Sequence, residues 1–560
     1  MHVLTPGNPT SIAIYNRSAQ FVHRDDSFKL FSGFGNIGGR FVFGGANLAD
    51  VSKRSDISGN VGQFTYFNVE QDGVRADTDL LGHGHLFASQ HDSCAVLSNR
   101  LHLHTLVLKA LGFKLELNDK AALSLLFTLE PFFSQQYTGH EMLTQGVSVV
   151  PVNKRVTLNN GVLALQPKAA LEYAITAAPD DYQYLVDVGV QELLDNTNAV
   201  LDSSAFGEII VDLSGGKDSR MVFGSVLNFP KWQQRIGLNT VDIPSNQDLP
   251  IACGIANHFG GSFHRGSFLP QTPISFDENM QIWRSYFHGL YHRIGASAWT
   301  YDGRNRDSIS LSGGSGEILR TAWGTPLRHH LMAGDDASTF ASRFVSKVGA
   351  QGPFEREHQQ LVAEHLASTL GRLPGATLGD KLESHYLFFR NRSHFGLRGF
   401  ALHHERATWF PLMSASLLKA AHSIPFGDRS SGRLIRDIMQ KLHPDLMRMP
   451  FDGKGFEGSN GQPIDLNTNR SAWEDAMSEK AKRLNASRVG HKPTLVWSSL
   501  NDDVRKTAIQ AHEEALSISS SYRDFMPSNF VDVLNGRFAE NPKKSLEVAS
   551  ALFAVRDSIS

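Results

Sequence analysis

The residues best suited to chemistry follow an apolar stretch at residues 209–213. β-Branched apolar residues predict a buried strand there, and the apolar spacing after residue 220 suits a helix. A strand, a Gly-Gly turn and a helix start together form an anion site, because glycine lets the backbone approach and the helix N-terminus carries partial positive charge. The serines add hydroxyl donors, and Asp218 can hold Mg²⁺ on phosphates. The predicted binding residues are Leu213, Ser214, Gly215, Gly216, Lys217, Asp218 and Ser219.

The run Ser-Gly-Gly-Lys-Asp-Ser lacks the spacing of a Walker A loop. It resembles the SGGxDS loop of the ATP pyrophosphatases, which cleave ATP between the α and β phosphates and leave AMP on the substrate. The resemblance implies ATP and Mg²⁺ as cofactors. A surface turn is the alternative for Ser-Gly-Gly alone. Lys217 stands where the family often has an apolar residue.

Length and composition narrow the class of protein. A chain of 560 residues predicts two or more domains. The formal net charge of −2 gives no general attraction to nucleic acid or to anionic membranes. No apolar run approaches the roughly 20 residues of a membrane helix. The first residues lack a basic segment followed by an apolar one, so they are not expected to act as a signal peptide. The cysteines, Cys94 and Cys253, fit a reducing compartment, so a cytoplasmic location is expected.

Residues 1–165 are predicted to be β-rich with a helical insert. Short apolar stretches separated by Gly, Asp and Asn predict strands near residues 12–15, 41–43, 64–67, 86–88 and 95–97. The glycine-dense residues 33–45 are expected to loop around a sheet edge. Helices are predicted at 99–111 and 119–129, the second with Asp119 as N-cap, and at 182–201 after a linker at 166–181.

A second resemblance covers this N-terminal part. Residues 62–73, 77–87, 95–107 and 145–161 follow the order of segments in the glutaminase-type domain of asparagine synthetases. Asp79 and Gly82 fall where that family has D-x-x-G. The family hydrolyses glutamine with an N-terminal cysteine, whereas residue 2 here is His2. We therefore expect the glutaminase activity to be absent. Cys94 is expected to pack in a strand as a small apolar residue.

Residues 236–263 contain a predicted strand, the sequence Ser-Asn-Gln-Asp and a helix that stops at Gly260-Gly261. In asparagine synthetases the corresponding segment carries S-P-D and lies beside the adenosine. The resemblance implies that Leu238 and Asp248 contact the nucleotide. The alternative for Asp248 is a simple helix cap.

Residues 308–323 again predict a strand, a glycine turn and a helix start. The asparagine synthetases carry S-G-E-G-x-D-E-L-F here, with the acidic residues on Mg²⁺ and pyrophosphate. This chain keeps Gly313, has Gly314 for the first Glu, has Glu317 for the Asp and has Ile318 for the next Glu. The resemblance implies that Glu317 is a metal ligand and catalytic. Arg320 is predicted either to meet phosphate or to lie on the helix surface.

Residues 380–422 are predicted to be helical and rich in Arg and His, including His403 and His404. Adjacent residues on a helix point apart, so structural or substrate-contacting roles are favoured over metal binding. Residues 411–413 resemble a family segment whose Asp is missing here. After an amphipathic helix at 434–442, the sequence RMPFDGKGF occupies the place of a mobile Lys-bearing loop in the family. The resemblance implies a catalytic role for Lys454, and a solvated lysine is the alternative.

The predicted fold combines α/β and α+β parts. A degenerate Ntn-type αββα domain is expected at 1–165. A PP-loop ATP pyrophosphatase domain, with a five-stranded parallel sheet and a helical C-terminal part, is expected at 166–560. The resemblance to asparagine synthetases implies a ligase that adenylates a substrate carboxylate and joins it to an amine. Because the cysteine is missing, as in lasso-peptide cyclases and β-lactam synthetases, an intramolecular cyclase of specialised metabolism is favoured.

Other functions remain open on the sequence alone. They are asparagine formation from free ammonia and a catalytically inactive ATP-binding scaffold. The tRNA-modifying ligases and thiolases use the same loop, but they need a basic RNA-binding surface and often paired cysteines, and neither is evident in this sequence. The expected partner is a small molecule or peptide that carries a carboxylate and an amine, without nucleic acid or membrane. A peptide cyclase would also work with a precursor peptide and a partner protease.

Overall fold

The structure is a computed structural model that describes residues 20–24, 27–43, 51, 57–70, 73–91, 94–127, 132–133, 136–159, 162–176, 181–243, 246–265, 271–273, 275–290, 299–301, 308–324, 326–350, 352–399, 406–453, 455–456, 462–487, 497–540 and 542–560. The predicted strand at 12–15, His2 and Lys454 lie outside the described residues.

Two antiparallel sheets form the N-terminal part. Their strands are β1 (Gln20–Arg24), β2 (Ser27–Ile37), β3 (Arg40–Phe43), β4 (Val61–Glu70), β5 (Gly73–Thr78), β6 (Phe87–His91), β7 (Cys94–Ser98), β8 (Val147–Val149), β9 (Lys154–Asn159) and β10 (Val162–Pro167). The larger sheet has the order β1-β2-β4-β5-β9-β10, with β3 also paired to β2, and the smaller has the order β7-β6-β8. The predicted β-rich character of this part is therefore confirmed.

Two helices form the predicted helical insert, α1 (Leu101–Ala110) and α2 (Asp119–Leu126). The proposed cap of the second helix is off by one residue. The side chain of Asn118, not of Asp119, accepts the N–H of Ala121 at 3.3 Å. Asn118 has extended backbone geometry, as an N-cap residue requires, and Asp119 is the first helical residue.

The prediction that residues 33–45 form a loop around a sheet edge is wrong. The long strand β2 continues to Ile37, turns at Gly38 and Gly39 and returns as β3. Glycine is needed here because the strands lie very close together. A Cβ on Gly33 would lie 1.9 Å from the carbonyl oxygen of Gln63 in β4. Glycine density therefore marks a crowded strand pair here.

The expected linker at 166–181 also contains structure. β10 ends at Pro167, and helix α3 (Ala169–Ile175) follows, with Leu171 and Ala174 fully buried. Helix α4 (Tyr182–Leu201) has the predicted bounds, and its cap Asp181 accepts the N–H groups of Gln183 and Tyr184.

A parallel sheet positions the glycine turns. Its strands are β11 (Glu208–Asp212), β12 (Ile236–Asn239), β15 (Ser308–Leu311) and β16 (Ala407–Trp409), in the order β12-β11-β15-β16. All three pairings are parallel, so the carboxyl ends of the strands share one edge. Helices α5 (Lys217–Val226) and α6 (Asp248–Phe259) follow β11 and β12. The described residues contain four parallel strands where five were expected, and a mixed α/β fold is confirmed.

Before β15, strands β13 (Gln271–Pro273) and β14 (Trp299–Tyr301) pair antiparallel, and helix α7 (Phe276–Phe287) lies between them in the chain. The next helices are α8 (Ala337–Gly349), α9 (Arg356–Arg372) and α10 (Leu378–His385), and the last continues as π-helical turns to Leu397. The helical prediction for 380–422 is wrong at its centre, where β16 joins the sheet. The indole of Trp409 in β16 packs edge-on against Phe41 of the N-terminal sheet, at 5.0 Å between ring centres. His403 and His404 lie outside the described residues.

The described chain after β16 is mostly helical, as predicted, with non-helical backbone at residues 451–453, 455–456 and 462–470. Its helices are α11 (Ala415–Ser423), α12 (Phe426–Ser430), α13 (Arg433–Leu442), α14 (Asp445–Arg448), α15 (Ser471–Ser487), α16 (Trp497–Ile518), α17 (Ser520–Phe525), α18 (Phe530–Glu540) and α19 (Pro542–Ile559). Within the described part of the chain, none of the helices combines the length and apolar character needed to cross a membrane.

Candidate nucleotide-binding site

The loop between β11 and α5 is held by its own serines. The Ser214 N–H donates to Ser219 Oγ at 3.2 Å, and the Gly216 N–H donates to Ser214 Oγ at 3.1 Å. The two hydroxyl oxygens lie 2.9 Å apart. Leu213, the last apolar residue before the loop, is buried and donates its N–H to the carbonyl of Asn239. The two serines therefore fix the loop conformation.

Asp248 reaches this loop and does not cap its own helix. Gln247 occupies the N-cap position of α6, and Asp248 Oδ1 accepts the N–H of Gly215 at 2.7 Å. Its other oxygen accepts the side-chain amide of Asn246 at 2.8 Å. One amide of the predicted anion site is thus occupied by a carboxylate of the chain itself. Leu238, by contrast, is fully buried in β12 and does not line the cavity beside the loop.

The N-terminus of α5 has no side-chain cap. Its N-cap residue is Gly216, and Lys217 is the first helical residue. The Lys217 ammonium lies 4.6 Å from the ring centre of Phe456, and burial lowers the pKa of this lysine. An uncapped helix start beside a lysine favours an anion.

The second glycine turn, after β15, packs directly on this helix start. A Cβ on Gly313 would lie 2.6 Å from the Ser219 nitrogen, and one on Gly316 would lie 2.6 Å from Asp218 Cγ. A four-residue 3₁₀ turn (Gly316–Leu319) follows in place of the predicted helix start. Close packing of the two turns brings Glu317 and Arg320 to Asp218.

Three charged groups meet where the turns touch. The Arg320 guanidinium donates to Asp218 Oδ2 at 2.8 Å. Burial and the negative charge of Asp218 raise the pKa of Glu317 to about 7, and the two carboxylates around Arg320 raise its own pKa. Arg320 therefore meets a carboxylate, which neither sequence-based alternative predicted.

The same carboxylates fit a divalent cation. Asp218 Oδ1 and Glu317 Oε2 are buried and have no hydrogen-bond partner. Two like charges with unpartnered oxygens are stabilised by a cation, and carboxylates are preferred Mg²⁺ ligands. Asp218 and Glu317 are therefore the residues that would hold Mg²⁺. A separate group of three possible metal ligands among the described residues lies at the start of α9. It consists of Glu355, Glu357 and His358.

Gly314 stands where the asparagine synthetases carry the first Glu of their S-G-E-G segment, and its surroundings leave no room for an acidic side chain. A Cβ at this position would lie 2.5 Å from ring carbons of Phe410 and 2.7 Å from Phe395. The position is filled by aromatic side chains, so no carboxylate can project there without repacking.

A cavity of about 350 Å³ opens at this junction. Its walls include residues 215–218, Arg320, Gly432 and Asp452. Gly432 is the N-cap of α13, has φ +80° and leaves that helix without a side-chain cap. Two uncapped helix starts and two basic side chains therefore border one cavity. Its size falls within the range of small-molecule sites.

Sequence reasoning missed Gly432, Asp452 and Arg220. The Asp452 N–H donates to the carbonyl of Gly215 at 3.0 Å, and its carboxylate accepts the N–H of Gln247 at 3.2 Å. Asp452 lies two residues before Lys454, which is outside the described residues. The Gly432 position has a local signal, because Ser-Ser-Gly precedes the amphipathic pattern of α13.

Arg220 ties the glycine loop to the segment around Asp452. It is fully buried and donates to the carbonyl oxygens of Gly215, Leu446, Met449 and Pro450. Its guanidinium also lies 3.7 Å from the ring centre of Phe451. The contacts to Leu446, Met449 and Pro450 have no short-range sequence signal, because these residues lie 226 to 230 positions away in the chain.

The N-terminal part also contacts the second glycine turn. His83 Nε2 lies 3.3 Å from Ser315 Oγ and 3.2 Å from Asn391 Nδ2. Asp79 fixes this segment, since its carboxylate accepts the N–H groups of His83 at 3.0 Å and Gly84 at 2.7 Å. The D-x-x-G segment thus supports the turn that carries Glu317.

No protein-family model matches the chain, and no curated protein matches it either. The function is therefore inferred from the geometry of this site and from the motifs of its loops.

Proposed function

We propose that the protein is an ATP-dependent ligase that forms amide bonds through an acyl-adenylate. The supporting observation is the 350 Å³ cavity, where two uncapped helix starts, Lys217 and Arg320 lie beside two carboxylates with unpartnered oxygens. Donors and cations suit a polyphosphate, and the carboxylates suit its Mg²⁺. Two other cavities in the described part of the chain, one beside His422 and one beside Arg75, are not bordered by a glycine turn of the parallel sheet.

The proposed reaction has two steps. A substrate carboxylate oxygen attacks the α-phosphorus of ATP, the bond to the bridging oxygen breaks, and pyrophosphate leaves. An amine then attacks the acyl carbon, AMP leaves with the carboxylate oxygen, and the amine loses a proton. Activation is needed because a carboxylate is a poor acyl donor until its oxygen belongs to a good leaving group.

In this proposal the chain has three tasks. The start of α5, Lys217 and Arg320 bind the phosphates and orient them for pyrophosphate departure. Asp218 and Glu317 hold Mg²⁺, which supplies charge neutralisation on the phosphates when bound. Lys454 is proposed to stabilise charge that develops in the transition state.

The amine is proposed to belong to the same substrate, as in the lasso-peptide cyclases and β-lactam synthetases that the chain resembles. The substrate is then a small molecule or peptide with both groups, and a precursor peptide with its protease is the expected partner in the peptide case. A cytoplasmic location fits ATP as co-substrate. An asparagine synthase-like reaction with free ammonia is the alternative reaction.

The alternative function is an inactive ATP-binding scaffold, and two observations fit it. The Gly215 N–H is occupied by Asp248, and the Gly314 position is filled by aromatic rings. A scaffold would bind ATP without releasing pyrophosphate. An active enzyme requires Asp248 to give up or share this amide when the nucleotide binds.

The test measures Mg²⁺-dependent ATP binding by calorimetry and ATP–pyrophosphate exchange with a panel of amino-bearing carboxylates. For Asp218→Ala we expect at least a tenfold weaker Mg²⁺-dependent binding and at least a hundredfold slower exchange. Asp195→Ala, which removes an exposed carboxylate on α4, is the matched control and should leave both unchanged. Wild-type binding without exchange would favour the scaffold, and absence of ATP binding would refute both.

For Lys454→Ala we expect retained ATP binding with strongly reduced product.

A further inference from the structure

Arg392 is a buried charge that has no carboxylate partner among the described residues. Its side chain is 1% exposed and donates to two backbone carbonyls, of Gly82 at 2.9 Å and Val150 at 3.0 Å. Gly82 has φ +65°, and a Cβ there would lie 2.9 Å from Arg392 Nε, so glycine is required for this approach. A buried charge is costly unless it is paired.

The other two fully buried arginines reach more negative charge, although the Nε of each has no hydrogen-bond partner. Arg220 donates to four backbone carbonyls, and Arg429 donates to the carboxylate of Asp380 at 2.6 Å. Asp79 is the carboxylate whose charge acts on Arg392, but its oxygens accept the N–H groups of Phe64, His83 and Gly84. Arg392 is therefore short of negative charge.

Three polar side chains on which the charge of Arg392 acts also have unsatisfied atoms. Tyr137 OH, His85 Nε2 and His288 Nδ1 are buried without a hydrogen-bond partner. These residues are between 3% and 7% exposed. The His85 ring centre lies 5.3 Å from that of His288 and 6.1 Å from that of Tyr137. Leaving buried polar groups unpaired is unfavourable, so a hydrogen-bonding molecule among them is favoured.

The charge at this cluster is positive. Burial lowers the pKa of His85 and of His288 well below the ordinary value, so both rings are neutral at physiological pH. The charge of Arg392 is the next cause for His85, whereas His85 and Arg100 are the next causes for His288. Arg392 also opposes the rise that burial causes in the pKa of Tyr137. An unpaired guanidinium among neutral hydrogen-bonding groups in a low-dielectric interior favours a small anion over a metal cation.

We propose that Arg392 and Tyr137 bind a small monoanion, of the size of formate or a halide, at the junction of the N-terminal sheets and the π-helical segment. The Tyr137 hydroxyl donates to the anion, and the guanidinium supplies the opposite charge. His85 uses Nδ1–H on the carbonyl of His83 at 3.1 Å, so its Nε2 accepts from a water or hydroxyl that accompanies the anion. This site is independent of the proposed nucleotide chemistry.

The test uses bromide and formate as probes on the full chain. Crystals soaked in sodium bromide should show an anomalous peak within contact distance of Arg392 and Tyr137. In solution, replacement of gluconate by bromide or formate at constant ionic strength should raise the melting temperature by about 1–3 °C and saturate. A difference map that holds only water at this position would overturn the proposal.

Variants separate the site from general salt effects. Tyr137→Phe removes one hydroxyl and should at least halve the anion-dependent shift, without depending on how an Arg392 variant folds. Tyr522→Phe is the matched control, because its buried hydroxyl is already paired with His512 Nδ1 at 2.8 Å, and it should retain the full shift. Equal shifts in both variants would refute the role of Tyr137, and loss in both would show a nonspecific effect.

Discussion

The chain uses Leu-Ser-Gly-Gly twice, at residues 213–216 and 311–314, each time at the carboxyl end of a strand of the parallel sheet. The two turns differ in their alignment to the sheet. Val211 pairs with Leu311, so the second turn begins two residues earlier than the first. The first turn leads into a ten-residue helix and borders the cavity, whereas the second leads into a four-residue 3₁₀ turn and packs beneath the first. Identical tetrapeptides thus become a binding turn and a supporting turn.

The residues after each tetrapeptide cause this difference. Lys-Asp-Ser after the first turn continues as a helix with an acidic residue in its first turn, which is favourable to the helix dipole. Ser-Gly-Glu after the second includes a left-handed residue, Ser315 at φ +66°, which ends extended backbone without starting an α-helix. A glycine motif therefore indicates function only together with its downstream neighbours.

The two turns are also held by opposite charges. The first is tied by the Arg220 guanidinium to backbone carbonyls. The segment after the second is tied by the buried carboxylate of Glu383, which accepts the N–H groups of Ala322 at 2.6 Å and Gly324 at 2.7 Å. Each buried ion thus compensates backbone groups of irregular segments, which otherwise cost free energy.

The largest stability effect is expected for Gly313→Ala. Its Cβ would meet backbone atoms of α5, the Ser219 nitrogen at 2.6 Å and the Asp218 carbonyl carbon at 2.7 Å, so one of the turns must move. We expect a loss of about 2–4 kcal/mol in the free energy of unfolding, measured by urea denaturation. Gly216→Ala is the matched control in the other turn, where the nearest atom is the Ser214 hydroxyl at 3.2 Å. It should cost about 1 kcal/mol or less. Equal losses would contradict the division into binding and supporting turns.

The next effect concerns pH and Glu383. Burial raises the pKa of Glu383 to about 7 from an ordinary value of 4.5. Between these values the folded chain holds a proton that the unfolded chain has released, so stability falls as pH rises through the window and levels off above it. Glu383→Gln does not titrate and should lack this decline, a difference of up to about 3 kcal/mol between pH 4.5 and 7.5.

The measurement is urea denaturation of both proteins across that pH range. The exposed Glu364→Gln serves as control and should follow the wild-type pH dependence. Parallel curves for wild type and Glu383→Gln would show that Glu383 is solvated, and the contrast between its tie and that of Arg220 would then fail.

The parts of the site that depend on local sequence were predictable. The apolar strand, the glycines and the following helix lie within 20 consecutive residues, so the loop at 213–219 and the bounds of α4 could be read from spacing alone. The stop of α6 also has its signal, since Gly260 takes the left-handed conformation that glycine favours.

The remaining parts depend on distant contacts. The three-residue strand β16 exists because Ala407 pairs with Ile309 of β15, and no local pattern distinguishes it from its helical surroundings. Arg220 meets carbonyls of residues 446–450, and Gly432 enters the cavity only through the packing of α13. Asp248 had a helix-cap pattern, but the three-dimensional proximity of Gly215 decided its partner. The spacing of residues in the sequence predicts helices and strands, whereas tertiary packing decides which distant groups each side chain contacts.

The smallest effect separates backbone strain from hydrogen bonding at Ser315, the left-handed residue of the supporting turn. None of residues 213–219 has a positive φ, so this strain distinguishes the two turns. Ser315→Ala loses the contact to His83 Nε2 and keeps the strain, which should cost about 0.5–1.5 kcal/mol, because Asn391 still reaches the same nitrogen. Ser315→Gly loses the same contact but relieves the strain, so it should be more stable than Ser315→Ala by up to about 1 kcal/mol in urea denaturation. If the alanine variant were the more stable, the turn would have relaxed out of the left-handed conformation, and the second Leu-Ser-Gly-Gly would owe its shape to packing on Asp218 rather than to Ser315.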